Sequence, residues 1–142
     1  MANLLDVNVL VALMHGNHMH SPVASAWLDG ITERNSLLLC RVVQMGALRI
    51  STSPAAFGND PLSALEAWRQ WESLEADSRF VWGEEHPNMN QAWKSLTSAF
   101  KRGRIAGTDS YLAAFALAGG HSLVTFDRGF AGFPGLQVEL LG

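Results

Sequence analysis

The sequence predicts an α/β fold in which a mostly parallel central sheet of about five strands carries helices on both faces. Segments with the pattern of a buried strand alternate with segments of helical period, in the order β-α-α-β-α-α-β-α-α-β-β. The run SLLLC at residues 36–40 is continuously apolar, as expected of a strand covered on both faces. Because a helix between two strands returns the chain across the sheet, this alternation indicates parallel pairing.

Apolar runs, capping residues and chain-breaking residues set the predicted boundaries. The predicted strands cover residues 3–6, 36–40, 78–82, 122–126 and 136–140. The predicted helices cover residues 8–14, 21–34, 42–49, 60–76, 87–100 and 111–118. Asn8, Asp60 and Thr108 are the predicted N-caps of three of them, because short polar side chains accept hydrogen bonds from the free N–H groups of a first turn.

Length and composition limit the class of protein. The chain has 142 residues, which suits one domain spanning residues 1–142. Residues AVILMFWYC make up 48% and DEKR 16%, so the chain can bury a sizeable core and is neither disordered nor fibrous. The net charge of −3 gives no overall attraction to nucleic acid or to an anionic membrane. A polyanion would have to be bound by a local site.

Cysteine usage and the start of the chain predict a cytoplasmic protein without a membrane anchor. Cys40 is the one cysteine, which excludes an internal disulfide and fits a reducing compartment. The first residues carry no basic leader, and the apolar run at residues 9–14 is far shorter than the ~20 residues of a membrane span.

Acidic residues stand where this fold class binds ligands. Asp6 ends the first predicted strand, Asp127 follows the fourth, and Asp109 begins a helix that is otherwise apolar. In a parallel sheet the first two reach one crevice beyond the carboxyl ends of the strands, and a helix N-terminus brings the third. Carboxylates so close repel one another unless a cation lies between them, and Mg²⁺ prefers carboxylates, water and phosphate oxygens. The three acids are therefore the predicted metal ligands.

Three ordered motifs carry a resemblance to a known family. They are Leu4-Leu5-Asp6-Val7-Asn8-Val9-Leu10, Thr108-Asp109-Ser110-Tyr111-Leu112-Ala113 and Leu123-Val124-Thr125-Phe126-Asp127-Arg128-Gly129-Phe130. In this order the chain resembles the PIN-domain ribonucleases, and among them the VapC-type toxins of bacterial toxin–antitoxin pairs. The resemblance covers nearly the whole chain and implies a PIN-like three-layer sandwich.

The same resemblance implies a function and a set of partners. It implies an acidic site that holds Mg²⁺ or Mn²⁺ and hydrolyses phosphodiester bonds within single-stranded RNA. Asp6, Asp109 and Asp127 match the metal-site acids of the family. The implied partners are a cognate VapB-type antitoxin, whose tail covers the acidic groove, and a second copy of the chain in a homodimer.

The sequence departs from the family pattern at one position of the implied site. The usual glutamate in the helix after the second strand aligns with Gln44, which we keep as a catalytic-site residue. An amide can coordinate through its carbonyl oxygen or bind a water of the cation, but it adds no charge, so one firm metal site and a weaker second are expected. The resemblance pairs this glutamine with a downstream arginine, Arg49.

Several polar residues around the acids are predicted to support them. Asn8 lies two positions after Asp6, and Thr125 shares a strand face with Asp127, so both are expected beside the acids. The candidate RNA-binding cations, in addition to Arg49, are Arg41, Lys101, Arg102 and Arg104, the last three in a basic turn. An exposed partner surface is a further prediction, at Trp68 and Trp71.

Two functions from different classes remain open. The first is a metal-dependent endoribonuclease acting as a toxin restrained by its antitoxin. The second is a catalytically weakened PIN-like module that binds RNA or a protein, which Gln44 suggests. Metal affinity separates these hypotheses, because a binding module has no need to hold a cation.

Overall fold

The fold alternates short strands with helices, as the sequence predicts. The computed structural model describes residues 2–98 and 107–142. The strands are β1 (Asn3–Leu5), β2 (Leu37–Leu39), β3 (Phe80–Trp82), β4 (Ser122–Thr125) and β5 (Val138–Leu140). The helices described are α1 (Val7–Met14), α2 (Ser21–Asp29), α3 (Arg41–Ser51), α4 (Pro54–Phe57), α5 (Ala64–Ala76), α6 (Met89–Ser98) and α7 (Gly107–Gly119), and a 3₁₀ helix (Arg128–Gly132) follows β4.

All strand pairs of the sheet are parallel, and their order is β3-β2-β1-β4-β5. The central strand β1 pairs with β2 through Leu4 and Leu38 and with β4 through Leu4 and Leu123. After β3 at one edge, the chain returns to the other side of β1 to form β4. The strand order therefore reverses between β1 and β4, and a crevice at such a point is where open α/β sheets bind ligands.

Helices cover both faces of the sheet, and the predicted fold class is confirmed. Helices α1, α2, α3 and α5 contact one another, and α6 packs on α7, which contacts β1 and β4. Leu37, Leu38 and Leu39 of β2 are all buried, as a strand between two helical layers requires. No helix in the described ranges is long and apolar enough to cross a membrane.

The predicted N-caps are wrong for all three helices. Asp6, not Asn8, caps α1, because its extended backbone and side chain let Oδ1 accept from the first helical N–H, that of Val7. Asp60 does not begin α5; Ser63 does, and its hydroxyl and the Glu66 carboxylate form a reciprocal capping box. Thr108 lies inside α7, which begins one residue earlier.

Packing also departs from the predictions at the tryptophans of α5. Trp68 is 45% exposed, as expected, but Trp71 is fully buried and packs at a tilt against Trp82. The two residues lie three positions apart, and α5 turns Trp71 toward the sheet.

The boundaries of two helices also differ from the prediction. Helix α2 ends at residue 29 rather than 34, and α4 was not predicted.

Candidate active site

Asp6 occupies the first position after the central strand, at the reversal point of the sheet. Its backbone N–H donates to the Val124 carbonyl at 2.9 Å, which continues the β1–β4 pairing to the end of the strand. Its side chain is only 6% exposed. One carboxylate oxygen accepts from the N–H of Val7 at 2.7 Å and the other from the hydroxyl of Thr125 at 2.7 Å. The buried carboxylate is therefore held at both oxygens.

A hydrogen-bond network joins Asp6 to the end of β4. The hydroxyl oxygen of Thr125 accepts from the N–H of Asp127 at 2.9 Å and from the amide of Asn8 at 3.4 Å. The side-chain oxygen of Asn8 accepts from the N–H of Phe126 at 3.3 Å. The structure thus places Asn8 and Thr125, the predicted supporting residues, between Asp6 and Asp127.

The three predicted acids interact electrostatically. Burial raises the pKa of Asp6, and the charges of Asp109 and Asp127 raise it further, although the hydrogen bonds from Thr125 and Val7 act in the opposite direction. Partial burial and the charge of Asp127 also raise the pKa of Asp109. Within residues 2–98 and 107–142, no three carboxylate, imidazole or thiol groups stand in a ligating arrangement. The acids are close enough to repel, but they do not converge on one point.

An open crevice of about 500 Å³ lies beside Asp6. Asp109, at the start of α7, and Arg49, near the end of α3, also line it. The remaining lining residues are Val7, Val42, Met45, Gly46, Ile50 and Thr108. Among the described residues, the lining of the crevice therefore combines two acids, one arginine and mainly apolar side chains. Asp127 is exposed at the end of β4 and is not among its lining residues.

The side chain of Gln44 is hydrogen-bonded to the guanidinium of Arg41. It is buried in α3, and its carbonyl oxygen accepts from Nη1 of Arg41 at 2.5 Å. The guanidinium of Arg41 lies 4.8 Å from the ring centroid of Trp82, at the end of β3. In this structure the carbonyl oxygen of Gln44, which would be the coordinating atom, accepts a hydrogen bond from Arg41. The coordinating role of Gln44 stays a prediction.

The predicted RNA-binding cations divide into two sets. Arg41 and Arg49 are exposed on α3, and only Arg49 reaches the crevice. Lys101, Arg102 and Arg104 lie outside the described residues.

Gly46 is a site residue that the sequence did not single out. A Cβ at this position would lie 2.8 Å from Cγ2 of Val7, so the glycine lets α3 approach the residue after Asp6. A glycine within a helical pattern is a visible signal of such close approach. Thr108, also on the crevice wall, carries no comparable signal apart from its position beside Asp109.

The fold and site define an α/β protein with a parallel sheet, a buried carboxylate at the point where the strand order reverses, and a second acid, Asp109, in the same crevice. The model of the PIN domain matches residues 4–136, so the chain belongs to the PIN-domain family. It is 34% identical over 142 residues to ribonuclease VapC41 of Mycobacterium tuberculosis, with 97% of each chain covered. The predicted resemblance to the VapC-type PIN-domain proteins is confirmed.

Solved structures show the same fold. The structure of VapBC2 from Rickettsia felis bound to a DNA fragment from the promoter superposes with a TM-score of 0.74 over all of both chains, at 18% identity. The structure of Mycobacterium tuberculosis VapC20, described as a sarcin–ricin loop cleaving toxin, has a TM-score of 0.66 and covers 93% of this chain and 96% of its own, at 13% identity. At identities this low, the superpositions show a shared fold and nothing further.

Proposed function

We propose that this protein is a metal-dependent endoribonuclease that hydrolyses phosphodiester bonds in single-stranded RNA, as the toxin of a VapBC-type pair. The observation that carries the proposal is the buried carboxylate of Asp6, held by Thr125 at the reversal point of the sheet and electrostatically coupled to Asp109 and Asp127. The match to the PIN domain and the similarity to ribonuclease VapC41 support the reaction class.

The donor chemistry of the site fits Mg²⁺ or Mn²⁺. Carboxylate oxygens are the ligands that these hard cations prefer. Burial raises the pKa of Asp6 most, and a cation would offset the smaller contribution from the charges of Asp109 and Asp127. Asp6, Asp109 and Asp127 would hold the ion. Asp109 and Asp127 are exposed. Oδ1 of Asp127 accepts from the N–H of Gly129 at 2.8 Å, so Asp127 would have to give up this hydrogen bond if its whole carboxylate turned toward Asp6. When bound, the cation lowers the pKa of water and stabilises negative charge on phosphate oxygens.

The chain's own residues fix the acids and bind the substrate. Thr125 and the N–H of Val7 hold the Asp6 carboxylate in one orientation, so this carboxylate itself need not reorganise when the RNA binds. Arg49 brings a positive charge into the same crevice, where a backbone phosphate would accept its hydrogen bonds.

The proposed partners are a VapB-type antitoxin and a second copy of the chain. The Rickettsia felis neighbour is a VapBC structure, which supports an antitoxin partner. Met45 on the crevice wall and Leu65 on α5 are 64% and 61% exposed, and large exposed apolar side chains are typical of protein contact surfaces. We place the protein in the cytoplasm, because the lone buried thiol of Cys40 suits a reducing compartment.

Cleavage of a mixed single-stranded RNA pool tests the proposal. Wild type, freed of any co-purified antitoxin, should cleave in Mg²⁺ or Mn²⁺ and stop in EDTA. The Asp6→Asn variant should have the circular dichroism spectrum of wild type and should not cleave the RNA. Cleavage that persists in EDTA or in the folded Asp6→Asn variant would refute the proposed site.

A second function, an RNA- or protein-binding module with weak catalysis, is favoured by the Arg41–Gln44 hydrogen bond. That pair places an amide and a guanidinium where the family resemblance expects a carboxylate. Calorimetry with Mn²⁺ separates the two functions, because a nuclease binds the ion in wild type. The binding module would be established if wild type did not bind Mn²⁺ and did not cleave RNA, and if Gln44→Glu gained both properties.

A further inference from the structure

Arg49 belongs to two neighbouring hollows at once. On one side it lines the acidic crevice with Asp6 and Asp109. On the other it lines a second hollow of about 250 Å³ between α3 and α5. The other residues lining this second hollow, named here the α3–α5 hollow, are Leu48, Thr52, Ala64, Ala67 and Trp68. Arg49 is therefore shared by the linings of the two spaces.

The guanidinium of Arg49 has no carboxylate partner among the described residues. The ion pair found within residues 2–98 and 107–142 joins Asp77 and Arg79. Arg49 is exposed, and in these ranges no side-chain hydrogen bond is formed by its guanidinium. An unpaired arginine beside a nuclease-type acidic crevice is suited to a phosphate group, which it can bind through two parallel N–H donors.

The α3–α5 hollow is lined on one side by the indole of Trp68, and its volume suits one planar ring. Trp68 is 45% exposed, whereas its helical neighbour Ala67 is buried beneath the hollow. The volume lies below the ~300–1,000 Å³ that is typical of pockets for drug-sized ligands. Base stacking on exposed aromatic side chains, next to cations that follow the backbone, is the general means of binding single strands.

We propose that the α3–α5 hollow binds one nucleobase of the RNA strand, stacked on Trp68, while Arg49 holds the adjoining backbone phosphate at the edge of the acidic crevice. This inference rests on the proposed function and adds to it a base subsite next to the cleaved bond. Because every base has a π-face, the subsite favours an unpaired nucleotide rather than one particular base.

An RNA occupant fits the charge of this surface better than a protein segment does. Among the described residues that line the hollow, Arg49 is the charged one, and it also lines the acidic crevice, so a ligand that spans both spaces should bring an anion to Arg49. A strand that spans both spaces meets the cation with a phosphate and the indole with a base. An apolar helix of a partner would fill the hollow but leave Arg49 without an anion unless it also carried an acid.

A combined change in the protein and in the RNA tests the subsite. The probe is a labelled 12-nucleotide single strand that wild type cleaves, together with a set in which each nucleotide in turn is abasic. Binding is measured in the Asp6→Asn background, which keeps the strand intact. We expect one abasic position to weaken binding about tenfold. In Asp6→Asn/Trp68→Ala, the abasic strand and the intact strand should bind with equal affinity. Both should bind about tenfold more weakly than the intact strand binds to Asp6→Asn.

Matched variants control for surface and fold. Trp68→Phe keeps a ring and should retain most of the abasic effect. Leu65→Ala removes an exposed apolar side chain from the same helix, outside the hollow, and should bind like the background. Arg49→Ala should weaken binding of every strand and lower its salt dependence, whereas Arg69→Ala, on α5 outside both hollows, should not.

Three outcomes overturn the inference. Equal affinity of Trp68→Ala and its background for all strands, with wild type still cleaving RNA, would refute the base subsite and leave the proposed function standing. Unchanged RNA binding in Trp68→Ala together with weakened binding of a purified antitoxin would assign the hollow to a protein. If wild type neither binds nor cleaves RNA, the proposed function fails and the subsite fails with it.

Discussion

The hydroxyl of Thr125 donates a hydrogen bond to Oδ2 of Asp6 at 2.7 Å, although 119 positions separate the two residues in the chain. Thr125 is fully buried at the end of β4, and Asp6 follows the neighbouring strand β1. The contact therefore depends on the parallel pairing of these strands. It links the fold directly to the orientation of the buried acid.

Replacing this hydroxyl should reduce both stability and cleavage. Thr125→Val keeps the shape but leaves Asp6 Oδ2 and the N–H of Asp127 without their partner, which we expect to cost about 1–3 kcal/mol of unfolding free energy. Urea unfolding and the cleavage rate measure the two effects. Thr125→Ser, which keeps the hydroxyl, should retain most of the activity. Equal activity of Thr125→Val and wild type would contradict the positioning role.

A divalent cation should stabilise the protein through Asp6. An ion that binds only the folded state at 100 times its Kd adds about 2.7 kcal/mol. Mn²⁺ should therefore raise the Tm of wild type and leave that of Asp6→Asn unchanged, and EDTA should reverse the rise. Asp29→Asn, an exposed acid outside the crevice, is the control and should respond like wild type. The same Tm rise in Asp6→Asn would exclude the proposed ligand set.

The close approach of α3 to Val7 should not tolerate a side chain at position 46. In Gly46→Ala the new methyl would meet Val7 Cγ2 at 2.8 Å, and a β-branched side chain cannot easily move aside. We expect a loss of about 1–3 kcal/mol, measured by urea unfolding. Gly16→Ala, where nothing lies within 4 Å, should show no such loss.

A second substitution checks that explanation of the Gly46 result. Adding Val7→Ala to Gly46→Ala removes the colliding methyl groups, so the double variant should lose less stability than the sum of the two single variants. Strict additivity would show that the strain lies elsewhere.

Acid stability should depend on the bond between Arg79 and Asp77. The guanidinium donates to both oxygens of Asp77, to the carbonyl of Leu28 in the last turn of α2 and to that of Ile31 just after this helix. Its hydrogen bonds lower the pKa of Asp77 below the usual 3.8. A lowered pKa means that the stabilisation is complete at neutral pH and is lost as the pH falls below about 4, through the folded-state pKa.

Arg79→Ala should therefore destabilise the protein more at pH 7 than at acid pH, because protonation removes the charge of Asp77 but leaves the hydrogen bonds to the two carbonyls. At pH 7 we expect a loss of about 1–3 kcal/mol, since two backbone carbonyls also lose their donor. Thermal unfolding across this pH range measures the difference. RNA cleavage at neutral pH should be unchanged below the melting transition, because Arg79 lies outside the crevice. A loss of stability independent of pH would contradict the account.

Most of the strand pattern was predictable, because a parallel strand covered on both faces needs a continuous apolar run, such as residues 36–40. The edge strand β5 has no such run, since it includes the exposed Glu139. The positions of Asp6 and Asp127 follow from the same reasoning, since parallel strands end at one edge. The caps were harder to predict. Asp6 is both a cap and a site acid, and the signal Ser63-Ala64-Leu65-Glu66 competed with the equally plausible Asp60-Pro61 three residues before it.

Other features depend on side-chain packing that no local pattern encodes. Trp68 and Trp71 read alike in the sequence, yet one lines a hollow and the other is buried against Trp82. The bond between Gln44 and Arg41 likewise depends on the way Arg41 lies over Trp82. Such choices are settled by contacts between elements distant in the chain.

The most direct test of the central claim is the metal-dependent cleavage rate of one defined RNA strand by four variants at equal folded concentration. We predict that Asp6→Asn, Asp109→Asn and Asp127→Asn each lose at least about a hundredfold in rate with Mn²⁺ present, since each removes a group acting in one catalytic unit. Asp29→Asn should cleave like wild type. Full activity in any of the three site variants, or an equal loss in Asp29→Asn, would contradict a catalytic site built from these acids.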